Sequence, residues 1–187
     1  MELSKGTFRN VDERKEALME LVRMGVISKD CAITLISDGF LNAPASTKYH
    51  GNYEGGLFDH SYNVAMALKS LTQNLNLSWE DKNSPFRVGL FHDLCKIDQY
   101  IWDAAEGRYI HFPSALLTEH GIKSVVLAQQ LPDIHLNEEE IACITYHMGA
   151  FTDSSLWKNY TNAIHKYPNV LWTHTADCYA AHVMEVE

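Results

Sequence analysis

The residues with the clearest capacity for chemistry are histidines and aspartates in stretches with helical periodicity. The 187-residue chain contains ten histidines, an unusual number for an acidic protein. Imidazole carries protons near neutral pH and is a preferred ligand of first-row divalent metals, as carboxylate also is. Buried groups of either kind are costly unless something satisfies them. The inward-facing candidates, which together predict a metal site, are His60, His92, Asp93, His120, His147 and Asp177.

Several of these residues have a simpler interpretation when each is considered alone. His60 by itself is typical of a hydrogen-bonded core residue, His120 of a half-exposed helical residue, and His147 of a partner for a helix C-terminus. Asp177 is harder to explain in this way, because buried carboxylates are rare without a partner. Taken together and in order, the residues favour a metal site that a carboxylate such as Asp93 can bridge. Four further histidines are assigned to loops or the surface: His111, His135, His165 and His182.

Length and composition are typical of a single globular domain. The length lies in the usual range for one domain, with 46% hydrophobic and 21% charged residues. We expect N-terminal helices over residues 1–39 to pack on a core over 40–187 that carries the motifs. No apolar stretch reaches the ~18–20 residues of a membrane span, and the first residues lack the apolar segment of a signal peptide. We therefore expect a cytoplasmic protein without a membrane partner.

Charge and cysteine content narrow the expected partners. Fifteen lysines and arginines against 24 aspartates and glutamates give a net charge of −9. Proteins that follow a nucleic-acid backbone usually carry a basic face, so long nucleic acid is not expected as a partner. The four cysteines show no CxxC spacing, which supports neither a disulfide framework nor a structural zinc site. The sequence does not indicate the oligomeric state.

Helical patterns dominate, which predicts an all-α fold with at most one short β-hairpin. Helices are predicted over residues 12–24, 28–37, 57–71, 85–95, 113–130, 137–147 and 170–184. Ser28, and Asn137 with Glu140, are predicted N-terminal caps. The hairpin is predicted between residues 100–102 and 108–112, with a turn at Glu106-Gly107. Residues 42–56 are predicted to be a loop, and residues 151–166 have no clear pattern.

The order of the candidate ligands resembles the HD superfamily of metal-dependent phosphohydrolases, which carry His…His-Asp…Asp on helices of an all-α fold. The matching residues are His60, His92-Asp93 and Asp177, and His92-Asp-Leu-Cys-Lys96 is similar to the family's His-Asp-x-Gly-Lys. Within the family, residues 40–60 resemble the entry to the HD domain of bacterial 3′-to-5′ exoribonucleases, as do segments 96–100, 119–121, 147–149 and 174–177. The resemblance covers roughly residues 40–182 and implies an HD-domain helical bundle.

The resemblance implies a site for one or two divalent metal ions per chain. Family members with two extra histidines before the final aspartate hold two ions, and His120 and His147 match those positions. The implied ligands are His60, His92, Asp93 and Asp177 for one ion, and Asp93, His120 and His147 for the other. The implied metals are Mn, Fe, Ni or Co, with Mg or Zn as further options. Two positions depart from the family pattern: Cys95 replaces a glycine, and Tyr146 replaces a second histidine of some dinuclear members.

The implied chemistry also gives roles to residues beside the ligands. Metal ions bind phosphate oxygens and lower the pKa of a bound water. With Asp93, Lys96 is the expected catalytic residue, since its charge would stabilise the phosphoryl group in the transition state. His50 and His174 are candidates for substrate contact or leaving-group protonation, and equally for orienting the ligands.

The expected function is hydrolysis of a phosphomonoester or phosphodiester in a nucleotide or another small phosphorylated substrate. Two alternatives stay open. Some HD-fold relatives are di-iron oxygenases with the same ligands, and a module could sense a nucleotide without turnover, although such sensors tend to lose the His-Asp pair. Candidates for stacking on a base, or alternatively core aromatics, are Trp102, Tyr109 and Trp157.

Overall fold

A computed structural model describes residues 8–112 and 119–185. They form an all-α fold with one short β-hairpin, which confirms the predicted fold class. The α-helices are α1 (Val11–Arg23), α2 (Lys29–Ser37), α3 (Gly56–Leu75), α4 (Ser84–Phe91), α5 (His120–Gln130), α6 (Glu138–Thr145), α7 (Trp157–Lys166) and α8 (Asn169–Tyr179). The hairpin strands are β1 (Tyr100–Asp103) and β2 (Arg108–His111).

Side-chain caps explain where several helices begin. The Ser28 hydroxyl accepts a hydrogen bond from the backbone N–H of Cys31 at 3.1 Å. Asn137 and Glu140 cap α6 reciprocally, each side chain accepting from the other's backbone N–H, at 2.8 Å and 3.0 Å. These bonds satisfy donors that have no partner inside the helix. Both predicted caps are confirmed.

Two predicted helices are longer than the observed ones. The helix predicted through Cys95 ends at Phe91, and Cys95 lies in a 3₁₀ turn over Leu94–Asp98. The helix predicted to reach His147 ends at Thr145. His92 and His147 each donate a side-chain hydrogen bond to the backbone carbonyl three residues earlier, which competes with continued helical bonding there.

The remaining elements refine the prediction. α5 begins at His120, so this histidine is in the first turn rather than inside the helix, and residues 113–118 of the predicted helix lie outside the described residues. Residues 151–166 begin at the end of a 3₁₀ turn over Gly149–Phe151 and contain a second one over Ser154–Leu156, followed by α7. α8 continues into a π-helical turn over Ala180–Met184. The hairpin is confirmed, with Tyr100 opposite His111 and the turn glycine, Gly107, at φ +62°.

The long helix α3 lies at the centre and packs most extensively on α4 and then on α8. α3 and α4 approach closely at Gly89, where an added Cβ would lie 2.3 Å from the Ala65 Cα. The largest fully buried side chains include Leu18, Leu35, Phe40, Phe58, Leu68 and Phe91. This packing brings His60 of α3 beside the residues that follow α4.

The four histidines assigned to loops or the surface confirm a further expectation. His111, His135, His165 and His182 are exposed, as predicted. In the described parts of the chain, no helix has both the length and the apolar character that a bilayer crossing requires.

Candidate metal centre

His92 and His147 occupy equivalent places just after α4 and α6. The Nδ1–H of His92 donates to the Gly89 carbonyl at 2.8 Å, and that of His147 donates to the Ile144 carbonyl at 2.7 Å. A carbonyl only accepts, so these bonds place the proton of each neutral ring on Nδ1 and leave Nε2 as an acceptor. Both Nε2 atoms are buried and have no hydrogen-bond partner. Each ring therefore presents a metal-ligating lone pair to the interior.

The Asp93 carboxylate lies between the two rings. Its Oδ1 is 3.5 Å from His147 Nε2, and its Oδ2 is 3.4 Å from His92 Nε2. Oδ1 is buried without a hydrogen-bond partner. Asp93 follows the end of α4 with φ −109° and ψ 18°, outside helical geometry, and this break turns its side chain into the cluster. The arrangement has the form of a bridging carboxylate.

His60 and Asp177 close the cluster from α3 and α8. The fully buried His60 has its Nε2 3.1 Å from Asp177 Oδ1 and 3.7 Å from Asp93 Oδ2. Asp177 Oδ1 also lies 3.9 Å from His92 Nε2. The structure therefore brings together five of the six predicted ligands around shared carboxylates, from helices far apart in sequence.

Sequence reasoning missed Glu185, which binds the far side of His60. Its carboxylate oxygens lie 3.1 Å and 3.2 Å from His60 Nδ1, and the Asn63 amide donates to it at 3.1 Å. A straight α-helix returns to one face after about seven residues. Glu185 is eight residues beyond Asp177, and the π-helical turn absorbs the extra residue. The last helix predicted from the sequence ends at residue 184, so Glu185 lay outside the pattern that identified the other candidates.

We expect Glu185→Gln to weaken metal binding. The amide can still accept the Nδ1–H bond of His60, but it lacks the negative charge that increases the basicity of the ring. Loss of such an outer partner typically costs about 10- to 100-fold in metal affinity. Competition with a chromophoric chelator measures the change, with the exposed Glu80→Gln as the matched control. Wild-type affinity in Glu185→Gln would show that this contact does not tune the ligand.

The charges of the cluster depend on one another. Burial raises the pKa of Asp93, but neighbouring groups, the Lys96 ammonium first among them, outweigh burial and hold that pKa well below its usual range. Burial lowers the pKa of His60, because it disfavours the protonated ring. Hydrogen bonds to Asp177 and Glu185 outweigh burial and raise that pKa to about 10. Without metal, His60 therefore carries a proton between two carboxylates. A cation that binds its Nε2 must displace that proton, so affinity falls as the pH falls.

His120 is the sixth predicted ligand and lies beside Cys95. Its Nδ1 is 3.5 Å from the Cys95 sulfur, and burial raises the pKa of that thiol to about 12. The first turn of α5 packs tightly against the end of α6 because of Gly121, where an added Cβ would lie 2.2 Å from the Thr145 carbonyl oxygen. Ligand atoms of Asp93, Cys95 and His120 lie within 4.8 Å of one another. Cys95, which stands where the family that the sequence resembles has a glycine, thus lies within reach of two candidate metal ligands.

Three further predicted residues have distinct environments. Lys96 Nζ is 2.6 Å from Asp93 Oδ2. The His50 ring packs 4.5 Å from the His60 ring, centroid to centroid, with a buried Nε2 that has no hydrogen-bond partner. The Nδ1–H of His174 donates to the His147 carbonyl at 2.8 Å. Of the two roles expected for His174, this contact favours orientation of a ligand over contact with substrate.

The donor set fits a divalent cation. Overlapping groups of ligand atoms lie within 4.8 Å of one another: His60, His92 and Asp93; His92, His147 and Asp177; Asp93, Cys95 and His120; and His50, His60 and Glu185. Imidazole and carboxylate ligands suit first-row divalent metals. The buried Nε2 and Oδ1 atoms without partners are the groups that such an ion would satisfy. The side chains alone do not determine which metal binds.

Comparison with known proteins adds no assignment. A scan against protein-family models gives no match, and searches of curated proteins and of solved structures also give none. The geometry of the ligand cluster and the order of its residues along the chain are therefore the features that bear on function.

Proposed function

We propose that the protein is a metal-dependent phosphohydrolase of the HD type that acts on a nucleotide or another small phosphoester. The observation that carries the proposal is the set of buried ligand atoms without hydrogen-bond partners: His92 Nε2, His147 Nε2 and Asp93 Oδ1. Unpaired buried polar atoms are rare in native proteins and require an explanation. A divalent cation supplies one.

The ligands divide between two ions as the family resemblance implies. His60, His92, Asp93 and Asp177 hold one ion, and Asp93, His120 and His147 hold the other. Bound divalent ions polarise a phosphoryl oxygen and lower the pKa of water. Asp93 contributes to both sites because its two oxygens face different histidines, His147 and His92.

Lys96 supplies the positive charge that phosphoryl transfer requires. Burial lowers its pKa, but the Asp93 carboxylate outweighs burial and raises it, so Lys96 stays protonated. Its ammonium lies at the edge of the ligand cluster, 2.6 Å from Asp93 Oδ2. A fixed ammonium in a water-poor site stabilises negative charge that develops on the phosphoryl oxygens.

His50 is a neutral group at the same cluster. Burial lowers its pKa to about 4, so the ring is uncharged at neutral pH. Its Nε2 can donate or accept a hydrogen bond to substrate according to the tautomer. The net charge of −9 disfavours long nucleic acid, which supports a small substrate.

Metal content and turnover test the proposal together. The protein is purified without chelator, its first-row metals are measured per chain, and phosphomonoesters and phosphodiesters are assayed before and after chelation. We expect one or two ions per chain and turnover that chelation removes and added metal restores. Iron with an O₂-dependent spectrum and no phosphoesterase activity would favour an oxygenase instead. Tight nucleotide binding without turnover across a panel of metals would favour a sensor.

Lys96→Met separates catalysis from metal binding. We expect turnover to fall by about 10²- to 10³-fold, as when one preorganised donor to a transition state is removed, while the metal content stays unchanged. The matched control is Lys82→Met, which removes an exposed lysine before α4. Equal turnover in the two variants would remove Lys96 from the proposed chemistry.

A further inference from the structure

A groove beside the metal centre has no role in the function proposed so far. It has a volume of about 400 Å³ and lies between the first turn of α5, the end of α6 and the 3₁₀ turns over Gly149–Phe151 and Ser154–Leu156. This volume is in the range of pockets that bind small molecules, about 300–1,000 Å³. The groove is therefore large enough for a substrate group.

The groove and the metal centre share a residue. His120 lines the groove, and one of its ring nitrogens belongs to the ligand group with Asp93 and Cys95. A ligand in the groove would thus have one end near the ion that His120 is proposed to hold. The groove is placed to bind the part of a substrate that extends from a phosphate at the centre.

The apolar side of the groove offers an aromatic ring. Phe151 is 74% exposed, and its ring lies 6.0 Å from the His174 ring, centroid to centroid. His174 is itself held by its bond to the His147 carbonyl. Tyr146, Met148 and Leu156 also line the groove. An exposed aromatic ring beside a groove is suited to stacking on a planar ligand.

The charged residues that line the groove disfavour a phosphate group there. Glu119 and Asp153 line it, and no lysine or arginine among the described residues does. Asn159 contributes an amide, which offers a donor and an acceptor side by side. Paired in this way, an asparagine amide recognises the amino group and ring nitrogen of adenine. The groove therefore suits a neutral, planar group that donates hydrogen bonds.

We propose that this groove binds the base of the substrate, that the base is adenine or another base with an exocyclic amino group, and that Phe151 stacks on it. The proposal rests on the proposed function, since it makes the substrate a nucleotide whose phosphate lies at the metal centre. The charges of the two regions agree with this division. Lys96 and the cations bind the negatively charged phosphate, and the groove, which is lined by acidic residues, binds the uncharged base. Asn159 is the residue that distinguishes bases.

Binding of adenosine tests the groove without any catalysis. Adenosine has the base and sugar but no phosphate, so we titrate it into chelator-treated wild-type protein and follow protein amide signals by NMR. We expect saturable binding that is at least about fivefold weaker in Phe151→Ala, because loss of base–aromatic stacking has at least that effect. Phe151→Tyr should retain binding. Because Phe151 is largely exposed, both variants are expected to fold.

Two matched variants locate the binding site and its selectivity. Trp102→Ala removes the exposed hairpin aromatic that the sequence also indicated as a candidate for base stacking, and on this proposal it should leave adenosine binding unchanged. Asn159→Leu should reduce the preference for adenosine over inosine, which has an oxygen in place of the amino group. Loss of binding in Trp102→Ala but not in Phe151→Ala would overturn the proposal. So would the absence of saturable adenosine binding up to about 10 mM, a very weak affinity.

The outcomes separate this inference from the proposed function. Adenosine binding that depends on Phe151, without turnover of any phosphoester, supports the base site and contradicts the hydrolase. Phosphoester turnover without adenosine binding supports the hydrolase and contradicts the base site.

Discussion

Asp93→Asn is expected to remove metal binding and turnover together. The substitution keeps the shape of the side chain but replaces a charged oxygen by an amide nitrogen, which cannot ligate a cation through a lone pair. Because Asp93 faces both His92 and His147, one proposed ion loses its ligand atom and the other keeps only a neutral amide oxygen. The loss of metal affinity should exceed the about 10- to 100-fold that an outer partner costs. Metal per chain and turnover of the best phosphoester measure the effect.

A control must separate loss of the ligand from loss of the fold. Asp93→Asn leaves the Lys96 ammonium buried without its carboxylate, and breaking one half of a buried ion pair costs about 3–5 kcal/mol. The double variant Asp93→Asn/Lys96→Met removes that ammonium and should recover stability without recovering metal. Asp30→Asn, at an exposed site in α2, controls for loss of a carboxylate. Full metal content in folded Asp93→Asn protein would contradict the assigned centre.

The helical architecture was predictable because its signals are local. Apolar periodicity marks the helices, and the caps at Ser28 and Asn137 lie within three residues of the N–H groups they satisfy. The hairpin turn at Gly107 is equally local. Histidine and aspartate in a fixed order could be recognised as a ligand set without knowledge of their distances. These features need only a few neighbouring residues to be interpreted.

The ends of the ligand-bearing helices were not predictable from the same signals. Apolar periodicity continues past His92, and the helix stops at Phe91 where the His92 side chain takes the Gly89 carbonyl. The same happens at His147 with the Ile144 carbonyl. A side chain that is expected to bind metal thus also ends its helix. Periodicity describes which face is apolar, and it does not include this competition for a carbonyl.

Contacts between residues far apart in sequence could not be predicted from sequence patterns either. Glu185 reaches His60 from the end of a π-helical turn, and it lies beyond the end of the last helix predicted from the sequence. Cys95 meets His120 only because a 3₁₀ turn follows α4. Each contact depends on a local departure from regular helix, and no residue type in the sequence predicts that departure.

Arg14→Met is expected to destabilise the whole fold. The Arg14 guanidinium in α1 donates to Asp59 in α3 at 2.7 Å and 3.1 Å, and these side chains are only 7% and 3% exposed. Gly55 leaves the space, since a Cβ there would lie 2.2 Å from the Arg14 guanidinium carbon. Removing the arginine leaves the Asp59 carboxylate buried with Tyr53, whose hydroxyl donates to it at 3.0 Å.

The expected loss is about 3–5 kcal/mol in the free energy of unfolding, as for other buried pairs that lose one partner. For a chain of this size, that corresponds to a fall of roughly 6–20 °C in Tm. Chemical denaturation and calorimetry measure both. Arg9→Met is the matched control, because its pair with Glu13 involves an 86% exposed arginine, and solvent screening leaves such a pair little effect on stability.

A double variant distinguishes a broken ion pair from lost packing. Arg14→Met/Asp59→Leu removes both charges, and such replacements are often neutral or stabilising, so stability should recover above that of Arg14→Met. Asp59 is adjacent to His60 but is not among the proposed ligands, so folded Arg14→Met should keep its metal. If metal is lost in folded Arg14→Met at low temperature, the ion pair acts through the orientation of His60. If the double variant is no more stable than Arg14→Met, packing by the arginine stem outweighs the charge.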